Sequence, residues 1–66
     1  MDHIAITYSR YLGQWEALLY RAKGPTRFVV KRGTRAECRR AALNHASGAP
    51  VYLYDSNGVG SRLITR

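Results

Sequence analysis

At 66 residues the chain has room for a single domain, 1–66, with a small core; a chain of this size buries only about 60% of the surface its unfolded form exposes, which excludes a deep cleft between two lobes. An apolar fraction of 45% is that of a folded domain and argues against disorder. Eleven Lys and Arg stand against four Asp and Glu, a net charge of +7, and nine of the eleven are Arg; a small domain this basic meets a polyanion (DNA, RNA or an acidic protein face) or carries its charge for solubility alone.

His3–Tyr8 alternates, with Ile4, Ile6 and Tyr8 pointing one way and His3, Ala5 and Thr7 the other, the pattern of a half-buried strand. Ser9–Gly13 reads as a turn pivoting on Gly13. Gln14–Ala22 is ambiguous by propensity, because Glu, Ala and Leu also suit a helix; Trp15, Tyr20 and the Lys23–Thr26 break that follows favour a strand and hairpin. Its parity is open: either Trp15 or Tyr20 faces inward, not both. Arg27–Arg32 is a third strand, with Phe28 and Val30 on one face and Arg27, Val29 and Lys31 on the other.

Thr34–Ser47 is the only stretch rich enough in helix formers for a full α-helix. It opens on Thr-Arg-Ala-Glu, a capping box in which Thr34 and Glu37 satisfy each other's amides. It ends before Gly48, a C′ glycine, with Pro50 just beyond. Val51–Asp55 is a fourth strand, Ser56-Asn57-Gly58 signals a hairpin with a type I′ turn, and Gly60–Thr65 is the returning strand. The expected fold is therefore α+β, a single antiparallel sheet of about five strands in the order β-β-β-α-β-β with one helix on one face. Small helix residues Cys38, Ala42 and Ala46, with Leu43, would let the helix lie close to Ile4, Ile6, Phe28, Val30, Val51 and Leu53. Arg35 and Arg39 border that contact and lay their stems along it.

The second sheet face then stays uncovered. Alternation places His3, Thr7, Arg21, Arg27, Val29, Lys31, Tyr52, Tyr54 and Arg62 as its candidates. Cations that meet phosphates among rings that stack on bases make a nucleic-acid platform, although Tyr and Arg also suit any exposed sheet face.

Catalytic chemistry is not legible. Of the carboxylates, Glu37 belongs to the cap and Asp55 precedes a turn. Cys38 and His45 lie two turns apart, about 10 Å, beyond a hydrogen bond, and with His3 they give no metal-ligand spacing. No cofactor is expected. A single cysteine cannot close a disulfide within the chain and fits a reducing cytoplasm. The N-terminal MDHIAITYSR lacks the basic and apolar regions of a signal peptide, and no run approaches the roughly 20 apolar residues of a membrane helix.

Gly13-Gln14-Trp15-Glu16-Ala17, then a glycine turn and Arg27-Phe28, then Gly33-Thr34-Arg35-Ala36-Glu37-Cys38 with Ala41, Ala42 and Ala46, form a longer pattern. Over about residues 9–47 it resembles the three-strands-then-helix DNA-binding domain of phage tyrosine integrases and plant ethylene-response factors. That resemblance implies a sheet entering the DNA major groove and puts Arg10, Trp15, Arg21, Arg27 and Lys31 near DNA, to which the basic sheet face adds Arg62. Val51–Thr65 has no obligatory counterpart in that family. The pattern is also similar to small phage and bacterial sheet-plus-helix proteins of unknown function, among whose build are anti-CRISPR inhibitors. Two expectations follow. The first is a nucleic-acid-binding domain, for DNA rather than RNA, working through a basic open sheet face. The second is a phage- or plasmid-encoded interaction module that meets an acidic or nucleic-acid-binding host protein, with an edge strand that also allows a homodimer.

Overall fold

A computed structural model describes residues 2–23, 27–45, 48–58 and 60–64. Its elements are β1 (His3–Ser9), β2 (Gln14–Tyr20), β3 (Arg27–Gly33), α1 (Arg35–His45), β4 (Val51–Tyr54) and β5 (Ser61–Ile64). They form one five-stranded sheet in the spatial order β3-β2-β1-β4-β5, with α1 packed on one side.

The sheet is mixed. Pairs β1–β2, β2–β3 and β4–β5 are antiparallel, and β1–β4 is parallel, where the sequence led us to expect antiparallel pairing throughout. The connectivity explains it. Two hairpin steps leave β3 running the same way as β1. The helix then carries the chain back across the sheet, so β4 starts from the same end and joins β1 in parallel, as a helical crossover requires.

The core lies between α1 and the sheet. Ile4, Ile6, Ala17, Cys38, Ala42, Val51 and Leu53 are buried there, with Trp15, Leu19, Val30, Leu43 and Ile64 packed around them. In this core the helix presents Cys38 and Ala42 and the sheet presents Ala17, all fully buried. Short side chains on both partners bring the two layers together, and Ile4 and Ile6 fill the volume beside them. Trp15 settles the open parity of β2, since it packs on the helix side and Tyr20 takes the other. Phe28 is not the core residue that alternation suggests. It pairs with Leu19 near the edge of the sheet and stays 45% exposed. Ala46 lies outside the described residues.

Three local features depart from or sharpen the sequence reading. The capping box forms as expected: the Thr34 amide donates to Glu37 Oε1 at 3.0 Å, and the Glu37 amide donates to Thr34 Oγ1 at 3.2 Å. Gly33 makes room for it, because a Cβ there would stand 2.8 Å from Glu37 Oε1 on a backbone at φ 150°, a conformation costly for other residues. The β4–β5 turn is not type I′. No non-glycine residue among those described has positive φ, so Asn57 does not; of the described turn residues, Gly58 is the left-handed one, at φ 77°. The Gly58 amide donates to the Asp55 carbonyl, and the Asp55 amide donates to the Gly60 carbonyl, both at 2.9 Å. The loop is therefore longer than a two-residue Asn-Gly hairpin. Finally, the β2–β3 register slips between Ala17 and Leu18. Val30 is the extra residue of this bulge, and every side chain beyond it changes parity.

Candidate nucleic-acid interface

The sheet side away from α1 follows from the register, since laterally paired residues share a face. One row runs Arg27–Tyr20–His3 across β3, β2 and β1. The next runs Val29–Leu18–Ala5–Tyr52–Leu63 across all five strands. A third brings Arg32 beside Glu16 and Glu16 beside Thr7, with Tyr54 and Ser61 paired at its far end.

These rows build a shallow, ring-walled surface. Ala5 and Leu18 are 3% and 6% exposed, yet neither belongs to the cluster under the helix; the taller residues flanking them in adjacent rows wall them in. His3 stacks on Tyr20 with ring centroids 5.0 Å apart at 10°, and meets Tyr52 edge-on at 6.0 Å. A hollow of about 340 Å³ opens beside them, lined by Asp2, His3, Pro50, Tyr52, Tyr54 and Ser61. Asp2 is held there by its carboxylate, which accepts from the Ala22 amide at 3.0 Å. At the two edges Val29 and Leu63 are 45% and 58% exposed.

The structure separates the six residues that the sequence groups together. Arg27 stands on the open side, next to Tyr20. Arg21, at the same end of the sheet, lies with its guanidinium 5.2 Å from the Phe28 ring. Arg10 occupies the exposed turn at the opposite end, where the Gly13 amide donates to the Ser9 carbonyl. Trp15 is on the helix side, edge-on to Tyr8 at 5.6 Å and covered by the Arg35 guanidinium at 5.9 Å, so it is no part of the open platform. Lys31 pairs with Ala17 and Arg62 with Leu53, both helix-side positions. For Lys31 the physical reason is the Val30 bulge, which resets the alternation that sets it beside Arg27. Arg32 takes up the open-side parity instead, but its Nε donates to Glu16 Oε2 at 2.8 Å, the one ion pair among the described residues.

Tyr20 is the residue of this row that the sequence left open, whereas His3, Tyr52 and Tyr54 stood among the candidates for the uncovered face. The signal for Tyr20 was the strand alternation itself: once Trp15 is inward, Tyr20 must be outward, and the register sets it opposite His3. Two further ionisable groups, Glu37 and Cys38, serve the fold. The Thr34 amide, and after it the Thr34 side chain, holds the Glu37 carboxyl below its ordinary range. Burial pushes the Cys38 thiol up, and the adjacent Glu37 charge adds to this; its Sγ lies 3.7 Å from the Lys31 carbonyl. A thiol so placed behaves as a small apolar core residue. Among the described residues no three His, Cys, Asp or Glu side chains gather into a metal-binding group, and no helix is long and apolar enough to cross a membrane.

Comparison of the chain with known protein families, with curated proteins and with solved structures finds no match.

Proposed function

We propose that this domain binds nucleic acid, and that its open sheet face receives unpaired bases. The observation that carries this reading is the row Arg27–Tyr20–His3 with Tyr52 beside it: accessible rings with a cation at one end, on a chain of net charge +7. Rings of this kind stack on bases of any sequence, and Arg27 meets the phosphate that follows. The resemblance over residues 9–47 points to DNA as the polymer, although it implies a duplex in the major groove where the rings of this face favour unpaired bases. Of the remaining expected contacts, Arg21 and Arg10 flank the platform at its two ends, whereas Trp15, Lys31 and Arg62 do not share it.

The test is the affinity of a labelled single-stranded oligonucleotide for Tyr52→Ala and Tyr52→Phe. Loss of one base stack costs about 1–3 kcal/mol, so Tyr52→Ala should bind roughly tenfold or more weakly, while Tyr52→Phe keeps the ring and the affinity. Equal binding by both variants and the parent chain would remove the open face from consideration.

A second reading rests on the sheet edges. Phe28 and Val29 on β3 and Leu63 on β5 are all at least 45% exposed, and edge strands with apolar side chains accept another chain by strand pairing. On that reading the domain is an interaction module for a protein partner, such as an inhibitor from a mobile element, or a homodimer. The bulge at Val30 and the cations Lys31 and Arg32 beside it blunt the β3 edge, which leaves β5 as its better candidate.

A further inference from the structure

The positive charge is not concentrated beside His3, Tyr20 and Tyr52. Among the described residues of the open-side rows, Arg27 is the one cation outside an ion pair, because Arg32 is tied to Glu16. The helix side is different. Arg39 and Arg40 are exposed and belong to no ion pair among the described residues. With Ala36, Leu43 and Asn44 they line a hollow of about 380 Å³. The spacing 36, 39, 40, 43, 44 is one flank of a helix, which sets Ala36 and Leu43 beside Arg39 and Arg40. The single carboxylate of the helix, Glu37, accepts from the Thr34 amide at the N-terminal end and feels the Arg40 charge without forming an ion pair with it. None of the residues that line this hollow carries a ring.

The two surfaces thus offer different chemistry on opposite sides of one layered domain. Rings suit unpaired bases. Unpaired guanidinium groups without rings suit the phosphate backbone of a duplex, which is read by charge and not by stacking. The domain measures 28 × 27 × 20 Å and its sheet separates the two surfaces, so a strand lying flat on one cannot also lie on the other.

We infer that Arg39 and Arg40 form a second contact surface, for duplex phosphates, and that one molecule bridges an unpaired strand on its sheet to a duplex on its helix. This rests on the reading of the open face given above. The experiment uses a donor-labelled single strand and an acceptor-labelled duplex of unrelated sequence, and follows anisotropy of the single strand and energy transfer between the two. The variant is Arg39→Ala/Arg40→Ala, which should fold, since both positions are exposed and alanine is the best helix former.

The parent chain should bind the single strand and bring the labels together. The double variant should keep its single-strand affinity to within about twofold, as expected for separate sites. It should lose energy transfer, and its log-salt slope for duplex binding should become shallower by about 2, the share of two phosphate contacts. Single-strand binding without energy transfer in the parent chain would overturn the bridging inference and leave the open-face reading standing. Undiminished energy transfer in the double variant would overturn the assignment to Arg39 and Arg40. Energy transfer aside, absent single-strand binding would overturn the open-face reading, and the bridge with it.

Discussion

Gly33, Thr34 and Glu37 show how much one residue decides in a domain this small. The two reciprocal hydrogen bonds between Thr34 and Glu37 close amides that the first turn of α1 leaves open. Replacing Thr34 with Ala should cost about 1 kcal/mol, roughly 4–8 °C in Tm at this chain length. The cap also sets a pH dependence. Glu37 has its folded pKa below its ordinary value of 4.5 because the Thr34 amide favours the carboxylate. Its contribution is therefore complete above that ordinary value and is lost as pH falls through the lowered folded value. Glu37→Gln keeps an acceptor in the box but cannot titrate. Thermal melts from neutral to strongly acidic pH should show a smaller acid loss in the glutamine variant than in the parent chain. Matching acid limbs would show that the cap carries no such linkage. The cap was legible in the sequence because Thr-x-x-Glu is a local pattern. The need for glycine at position 33 was not, because it depends on where the Glu37 side chain comes to rest.

At the scale of elements, the short side chains are the informative ones. Ala17 on β2 faces Cys38 and Ala42 on α1, and all three are fully buried. An interface built on small residues has no room for a larger one. Ala17→Leu should separate helix from sheet and cost about 1–3 kcal/mol, measurable by denaturant unfolding as a lower midpoint at similar slope. An unchanged midpoint would mean that the helix is not seated where Ala17 places it. Strand and helix positions were legible throughout, because alternation and the capping signals act within a few residues. Three things were not. The parallel β1–β4 pair depends on which way the crossover returns the chain. The Val30 bulge is an offset between two strands, invisible in either alone, and it moved Lys31 off the face where alternation put it. Asn57-Gly58 has the composition of a tight turn, yet the Asp55–Gly60 hydrogen bond closes a longer loop around it.

For the whole molecule, the consequence of those offsets is a partition of chemistry between two sides. The sequence shows a basic chain with tyrosines and gives no reason to separate the two. The folded domain carries His3, Tyr20, Tyr52 and Tyr54 on the open side of the sheet, with Arg27 at the end of their row. Arg39 and Arg40 lie on the helix, and Lys31 and Arg62 at helix-side positions of the edge strands. A net charge of +7 supplies attraction to any polyanion; the rings are what would distinguish an unpaired strand from a duplex or an acidic protein. The central claim is that the domain holds nucleic acid by itself. It is tested most directly by the anisotropy of labelled single-stranded DNA, duplex DNA and RNA titrated with the protein across a salt series. The account predicts binding to all three at low salt, strongest to a single strand, with an affinity that falls as salt rises because phosphate contacts release counterions. Binding that is absent, or that does not respond to salt, would contradict it and assign the charge to a protein partner or to solubility.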